Sequence, residues 1–377
     1  MKTVTKESGK RQRKGLKTMA IIFGVIAGII CLTVCSAIIA INVLTKPVDD
    51  KSDKAVSIGG MLTSETIDYK VESSKGLEKN PFIKIMQVFW KSCAKSDAEV
   101  HAKQTPPDTL EKVYDIPYID DGNRYHMLDV YYPENATGNL PVIIDIHGGG
   151  WMYGDKALNE YYNLCLADRG FVVFSMSYRL VPDVTVNEQL MDCMAALKWI
   201  SENMNNYPCD GTNVMLTGDS AGGMLAAYCA VLLQSEELRN IFEVTDADLE
   251  LTALLLTSPV PNMNDGDITD KVKTICWGLD YESKATYGYM NFDQIVDYAQ
   301  LPPTYLITSS GDDLGRAQTL KAYALLKSKG VEVELADYSD LRDNKKLPHV
   351  FSVLEPFDEF GSRAIDEALD FYKKAMK

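Results

Sequence analysis

The sequence predicts an α/β fold in which a mostly parallel central sheet carries helices on both faces, preceded by one N-terminal transmembrane helix. Three observations support this prediction. Residues 18–45 carry no charge, two strand-like runs near residues 113–132 are separated by turn residues, and from Pro141 onward apolar runs alternate with helix-like stretches. Such alternation is typical of a parallel sheet that is covered on both faces.

The N-terminal segment has the charge pattern of a membrane anchor. Residues 18–45 form an uncharged run of 28 residues, longer than the ~20 apolar residues that a spanning helix needs. Residues 1–17 hold seven basic side chains and one acidic one, so the positive-inside rule places this tail in the cytoplasm. A cleaved signal peptide is the alternative, but its apolar core spans only roughly 7–15 residues. We therefore predict an uncleaved signal-anchor and an extracellular or extracytoplasmic domain.

The three segments after the anchor differ in pattern. Residues 46–78 are polar and lack periodicity, which is typical of a linker. Residues 79–111 are expected to hold helices, because apolar side chains cluster between Phe82 and Trp90. The turn residues Asp121-Gly122-Asn123 then separate two strand-like runs, which predicts antiparallel strands at one edge of the sheet.

Residues 112–377 are predicted to form one α/β domain. Six further strands are expected at PVIIDI, FVVFSMSY, NVMLTG, LTALLLTS, PTYLIT and VEVELA. PVIIDI is a short continuous apolar run, as is expected of a strand that is buried on both faces. Between them, helix-like stretches space apolar side chains by three or four residues, as at Leu190, Met194 and Leu197.

Composition and charge exclude several classes of protein. With 46% hydrophobic and 24% charged residues among 377, the chain is neither disordered nor of low complexity. Residues 46–377 carry 31 basic and 52 acidic side chains, a net charge of -21. A domain this acidic repels phosphate backbones, so we expect no nucleic-acid partner. The eight cysteines show no CxxC spacing that would indicate a zinc or redox centre.

A nucleophile pattern directly follows the strand NVMLT. Gly218-Asp219-Ser220-Ala221-Gly222 lies between that strand and a helix-like stretch, which is the strand–turn–helix context that a G-x-S-x-G elbow requires. The turn is too tight for side chains at positions 218 and 222, and its strain exposes the hydroxyl of the central serine. Ser220 is therefore the predicted catalytic nucleophile.

A run of three glycines follows the strand PVIIDI. The backbone N–H groups of Gly148, Gly149 and Gly150, which come after His147, are unshielded by side chains and can bind a developing oxyanion. Together with the N–H of Ala221 they form the oxyanion hole that such a loop supplies. A flexible turn is the alternative interpretation.

The general base is selected by elimination. The chain has four histidines, and His349 is the one that lies after Ser220, in the order nucleophile, acid, base that accompanies this elbow. An imidazole can take the serine proton and return it to the leaving group. His101 and His126 are expected to be surface or cap residues, and His147 to shape its loop.

The triad acid is expected after the strand PTYLITSS. The next residues are Gly311-Asp312-Asp313, and a carboxylate there can orient the base and stabilise the imidazolium. We favour Asp312, because it lies nearer the strand end that fixes its position. Asp313 is the alternative.

Together these motifs resemble the hormone-sensitive-lipase-like branch of the α/β-hydrolases. The resemblance covers about residues 112–377 and is carried by HGGGW, YRLVP, GDSAGG and the downstream GDD and PHVF segments. It implies an α/β-hydrolase fold with a helical cap, here from residues 80–110 and an insertion at about 260–300. Asp313 and Gly315 depart from the pattern, since relatives usually carry Pro and Arg there.

The resemblance also implies the activity, which is hydrolysis of carboxylic esters without metal or organic cofactor. The expected partners are a small-molecule ester, with short-to-medium acyl groups, and the membrane through the N-terminal helix. The sequence defines no oligomeric state. Two alternatives remain open, namely a peptidase or amidase that uses the same triad, and a catalytically silent hydrolase-like binding module.

Overall fold

A computed structural model of the protein describes residue 77 and residues 80–264, 272–339 and 346–377. The predicted basic tail (1–17) and transmembrane helix (18–45) lie outside these residues, as does the predicted linker (46–78) apart from Leu77. Within the described ranges, no helix combines the length and the apolar content that crossing a membrane requires.

The described part of the chain contains eight strands and nine α-helices. The strands are β1 (Leu110–Pro117), β2 (Met127–Pro133), β3 (Leu140–Ile146), β4 (Val172–Met176), β5 (Cys209–Asp219), β6 (Ala253–Thr257), β7 (Thr304–Ser309) and β8 (Val333–Tyr338). The helices are α1 (Pro81–His101), α2 (Glu160–Asp168), α3 (Val186–Asn203), α4 (Ser220–Leu232), α5 (Glu236–Phe242), α6 (Lys273–Trp277), α7 (Arg316–Ser328), α8 (Phe351–Leu354) and α9 (Glu359–Ala375). Short 3-10 turns lie between residues 281 and 298.

All eight strands belong to one sheet in the order β1-β2-β4-β3-β5-β6-β7-β8. β2 is antiparallel to both of its neighbours, whereas β4, β3, β5, β6, β7 and β8 run parallel to one another. The predicted mostly parallel sheet, with antiparallel strands at one edge, is therefore confirmed. The connection between β1 and β2 spans residues 118–126 and is longer than a tight turn at Asp121-Gly122-Asn123.

Helices cover both faces of the sheet, because alternate side chains of each central strand point to opposite sides. On β3, Val142, Ile144 and Ile146 belong to the larger buried apolar cluster, which includes side chains of α3 and α4. Ile143 belongs to the second cluster, with side chains of α2 and α9. The four strands β3, β4, β6 and β7 are buried along most of their length for this reason.

Helix α1, the first helix of the described residues, lies against the domain, and the residues that follow it contact α8. Asn80 caps it, its side-chain oxygen accepting a hydrogen bond from the N–H of Phe82 at 3.0 Å. Ile83 and Ala94 are its buried apolar side chains. Just beyond its end, Gln104 donates a hydrogen bond to the carbonyl oxygen of Leu354 in α8 at 2.9 Å.

Candidate active site

The junction of β5 and α4 holds Ser220 in a strained backbone conformation. Its φ is 52°, in the left-handed region that costs a residue with a side chain of order 1–3 kcal/mol. Glycines make the tight turn possible. A Cβ on Gly218 would collide with the carbonyl oxygen of Gly222, and one on Gly222 would collide with those of Ile146 and His147. The hydroxyl of Ser220 is therefore presented at the carboxyl edge of the sheet.

Three predicted site residues meet at this edge. His349 Nε2 lies 2.8 Å from Ser220 Oγ, and His349 Nδ1 lies 2.6 Å from Asp312 Oδ1. The hydroxyl of Ser220 can donate to one ring nitrogen while the other donates to the carboxylate, which is the arrangement of a serine nucleophile, its base and an orienting acid. The parallel strands explain the meeting, since β5 and β7 end at the same edge of the sheet.

The surroundings of Asp312 hold its carboxylate in place and keep it charged. The side chain is fully buried, and it accepts hydrogen bonds from the N–H of Gly315 at 2.7 Å and the hydroxyl of Thr308 at 3.1 Å. Burial raises the pKa of the Asp312 carboxyl, but the hydrogen bond and charge attraction of His349 outweigh it, so the pKa lies below its ordinary value. Asp313 is exposed.

The glycine loop after β3 approaches the same point. Gly149 and Gly150 have φ values of 106° and 56°, which glycine adopts without steric cost. Among the described residues, the N–H groups of Gly149, Gly150 and Ala221 donate no hydrogen bond to a protein acceptor. These three groups are available to a bound oxyanion.

Gly148 differs from the prediction. Its N–H already donates a hydrogen bond to Asp219 Oδ1 at 2.9 Å, so this donor serves the protein and is removed from the predicted oxyanion set. Gly148 can make this hydrogen bond because it packs closely on Asp219. A Cβ at position 148 would lie 2.9 Å from the carbonyl oxygen of Asp219. No local sequence pattern indicates this contact between positions that are 71 residues apart.

His147 shapes the glycine loop. It is buried, its ring stacks on Tyr178 with centroids 4.3 Å apart, and Nδ1 donates to the carbonyl oxygen of Gly148 at 2.8 Å. The hydroxyl of Tyr178 donates to the carbonyl oxygen of His147 at 2.7 Å. Burial lowers the pKa of His147 to about 4, so this ring is neutral at pH 7.

The other two histidines, predicted to be surface or cap residues, are both buried, so a surface position is wrong for each of them. His101, in the last turn of α1, stacks on Tyr161 with ring centroids 4.6 Å apart. His126 lies between Asp121 and Asp192, with ring nitrogens 2.8 Å and 3.3 Å from their carboxylates. Neighbouring aromatic and acidic groups, which the local sequence does not identify, explain their burial.

One side chain at the site comes from the N-terminal helix. The ring of Trp90 in α1 lies against Gly150, and it stacks on Tyr153 with centroids 5.3 Å apart. The apolar cluster between Phe82 and Trp90 predicts a helix here, but nothing in it places Trp90 against the glycine loop. Tyr153 in turn donates a hydrogen bond to Asp97 at 2.9 Å.

Potential metal ligands and cysteines occur throughout the described part of the chain. No three His, Cys, Asp or Glu side chains there are arranged to hold a metal ion. The six cysteines of the described residues are free thiols, and five of them are buried.

Comparisons with known proteins find similar esterases. The BD-FAE family model matches residues 128–276. Carboxylesterase NlhH of Mycobacterium tuberculosis is 29% identical over 252 residues, which cover 64% of this chain and 78% of the relative. Isoprenylcysteine alpha-carbonyl methylesterase ICME of Arabidopsis thaliana is 33% identical over 114 residues, 30% of this chain and 26% of the relative. Among solved structures, esterase B from Lactobacillus rhamnosis is similar with a TM-score of 0.74 and 30% identity, over 79% of this chain and 96% of that one.

Proposed function

This chain belongs to the hormone-sensitive-lipase-like carboxylesterases of the α/β-hydrolase fold, and we propose that it cleaves carboxylic esters through an acyl-enzyme intermediate on Ser220. The observation that carries the proposal is the position of His349, whose two ring nitrogens lie 2.8 Å from Ser220 Oγ and 2.6 Å from Asp312 Oδ1.

In the proposed acylation step, Ser220 Oγ attacks the ester carbonyl carbon while His349 Nε2 takes the hydroxyl proton. The carbonyl oxygen becomes an oxyanion and accepts hydrogen bonds from the N–H groups of Gly149, Gly150 and Ala221. Asp312 holds the imidazole in the required tautomer and stabilises the imidazolium. His349 then protonates the departing alkoxide, and an alcohol leaves.

Deacylation repeats these roles with water as the nucleophile. His349 takes a proton from water, the resulting hydroxide adds to the acyl carbon, and the same N–H groups bind the second oxyanion. His349 returns the proton to Ser220 Oγ as the acyl–oxygen bond breaks, which releases the carboxylic acid and restores the enzyme.

Short-to-medium acyl esters are the proposed substrates. The support comes from a relative, because a crystal structure shows esterase B with a C4-C4 SN3 tributyrin phosphonate inhibitor. Initial rates on p-nitrophenyl esters of increasing acyl length test the proposal, with a maximum expected at short-to-medium chains. A maximum at long acyl chains would contradict it.

The proposed cap consists of the helical segment at about residues 79–111 and the insertion at about 260–300 of the catalytic domain, residues 112–377. Two contacts support it. Trp90 lies against Gly150, and Tyr228 of α4 donates a hydrogen bond to the carbonyl oxygen of Tyr289 at 3.0 Å. Both segments therefore lie against elements that carry the proposed site.

A fluorophosphonate probe tests the nucleophile. The parent protein is expected to be labelled covalently and to lose esterase activity in proportion, because the probe forms a stable adduct with an activated serine. Ser220→Ala removes the nucleophile and should abolish labelling. Ser283→Ala, at an exposed serine, is the control and should be labelled like the parent. Labelling that persists in Ser220→Ala would contradict the proposal.

Matched substrates separate esterase from peptidase or amidase activity. A p-nitrophenyl ester and a p-nitroanilide with the same acyl group differ in the leaving atom. We expect hydrolysis of the ester and little of the anilide, since an amine is the poorer leaving group. Faster hydrolysis of the anilide than of the ester would favour the amidase alternative. A parent protein that hydrolyses neither substrate and is not labelled by the fluorophosphonate would favour the catalytically silent binding module.

We further propose that residues 18–45 anchor the protein in the membrane, with residues 1–17 in the cytoplasm and the catalytic domain outside. The support is the sequence pattern of seven basic residues before an uncharged run of 28. Protease added to intact cells should remove the catalytic domain while the N-terminal tail stays protected. Release of an active truncated enzyme into the medium would instead indicate a cleaved signal peptide.

A further inference from the structure

A buried polar layer lies beneath the glycine loop, on the sheet face that α2 covers. Asp145 on β3 pairs in register with Ser175 on β4 and with Thr217 on β5. Asp219 lies two residues beyond Thr217, on the same face of β5. All four side chains are buried.

Asn159, at the start of α2, connects the two carboxylates of this layer. Its Nδ2 donates hydrogen bonds to Asp219 Oδ1 at 2.8 Å and to Asp145 Oδ2 at 3.1 Å. Asn159 occupies the N-cap position of α2, yet its side chain makes no capping hydrogen bond. A good capping residue thus directs its amide into the core.

Asp145 is held from a second side. Asn163, one turn further along α2, donates from Nδ2 to Asp145 Oδ2 at 3.0 Å and to Ser175 Oγ at 2.9 Å. The far end of the connection is Gly148, whose N–H donates to Asp219 Oδ1. A continuous path of hydrogen bonds therefore leads from Asp145 through Asn159 and Asp219 to the glycine loop.

Burial raises the pKa values of both carboxyl groups, Asp145 and Asp219. Burial, followed by the charge of Asp219, raises the pKa of Asp145 to about 7. Burial also raises the pKa of Asp219, but Asn159, His349 and Gly148 oppose this increase. The other titratable groups that face the pair are Tyr162 of α2 and Tyr178 after β4. Asp219 is the member of the pair that accepts the hydrogen bond from the glycine loop.

We propose that Asp145 and Asn159 are positioning residues for the oxyanion hole, because they hold the Asp219 carboxylate where it fixes Gly148 and thereby Gly149 and Gly150. Asp219 directly precedes Ser220. The same carboxylate therefore sets the distance between the nucleophile and the N–H groups that receive the oxyanion. This inference rests on the proposed function. It assigns Asp145 and Asn159 a role in positioning the oxyanion hole without contact to the substrate.

The first test replaces Asn159 by Leu, which removes both donated hydrogen bonds at similar volume. We expect kcat to fall by about 10- to 100-fold with KM nearly unchanged, since misplaced oxyanion donors act on the transition state. Affinity for a trifluoromethyl ketone, which forms a tetrahedral oxyanion on the serine, should fall by the same factor as kcat/KM. Asn213→Leu is the matched control, because Asn213 is also buried and bonded to an aspartate, Asp210, at 2.7 Å.

The second test uses Asp145→Asn, which keeps the shape but cannot ionise. In the parent, ionisation of Asp145 above about pH 7 adds a second negative charge that competes with Asp219 for the Asn159 amide. The ratio of kcat in Asp145→Asn to kcat in the parent should therefore rise with pH above that value. This variant retains a falsifiable readout if Asn159→Leu does not fold.

The outcomes separate this inference from the proposed function. Parental kcat and parental ketone affinity in folded Asn159→Leu would overturn the positioning role, as would a ratio for Asp145→Asn that does not change with pH. The proposed function is tested separately, by fluorophosphonate labelling of Ser220 in the parent protein. A parent protein that is not labelled would refute the serine mechanism itself.

Discussion

The indole ring of Trp90 lies against the backbone of Gly150, so closely that a Cβ on the glycine would come within 2.9 Å of the ring atom Cη2. The two residues belong to the N-terminal helix and to the glycine loop, 60 positions apart. The helix that precedes the sheet thus forms one wall of the proposed oxyanion hole. A wall of this kind limits the conformations of the loop and excludes water from it.

Removing this wall should impair catalysis. In Trp90→Ala, Gly150 loses the ring that covers it and Tyr153 loses its stacking partner at 5.3 Å. We expect kcat/KM for a short acyl ester to fall about tenfold or more, because small displacements of reacting groups have large effects on rate. Ile85→Ala, at a half-exposed position of the same helix, is the control. Equal activities of the two variants would contradict this role of Trp90.

Ser220 and His349 should behave as one catalytic unit. Either single alanine variant is expected to reduce kcat on the order of 10⁴- to 10⁶-fold, and the double variant should be hardly worse than either. The physical reason is that the hydroxyl is a poor nucleophile unless Nε2, 2.8 Å away, accepts its proton. Steady-state kinetics of the three variants measure this. Near-parental activity of His349→Ala would refute the triad.

The two neighbouring aspartates should differ strongly. Asp312→Asn keeps the shape but favours the wrong tautomer of His349, so we expect a loss in kcat of about 10³- to 10⁴-fold, by analogy with a serine-protease triad. Asp313→Asn, at an exposed position, should stay within about twofold of the parent. A greater loss in Asp313→Asn would transfer the acid role by one residue and leave the class of enzyme unchanged.

His126 should make the stability of the protein depend on pH. Burial lowers the pKa of this histidine, but its contacts with Asp192 and Asp121 outweigh burial and raise it above the ordinary value. The folded state therefore binds the proton more tightly than the unfolded state. The stabilisation is complete below the unfolded value of about 6.5 and is lost as the pH rises through the raised value.

Urea unfolding at pH 5.5 and pH 8.5 measures this dependence. The free energy of unfolding should fall more between these pH values in the parent than in His126→Gln, which has no proton to lose. Because other groups titrate equally in both proteins, the difference between them isolates His126. The same decrease in both proteins would show that His126 does not contribute.

The sequence by itself predicted the mostly parallel sheet, the candidate nucleophile and the candidate base. Strands that are buried along most of their length are rich in apolar residues, so the runs at β3, β4, β6 and β7 could be recognised without knowing their neighbours. A tight turn after a strand requires glycine, and the glycines around Ser220 made it the candidate nucleophile. His349 became the candidate base because it is the one histidine that lies after Ser220. Each of these inferences depends on local chemistry or on chain order.

Only the tertiary structure decided which backbone donors are available and what holds them. Gly148, Gly149 and Gly150 are identical in sequence, but Asp219, 71 positions from Gly148, binds the first of them. Trp90 contacts the glycine loop from α1, and Asn159 binds Asp219 from the start of α2. Such contacts arise when helices pack on the sheet and bring distant side chains together. Their partners are therefore set by packing geometry, which local sequence patterns do not encode.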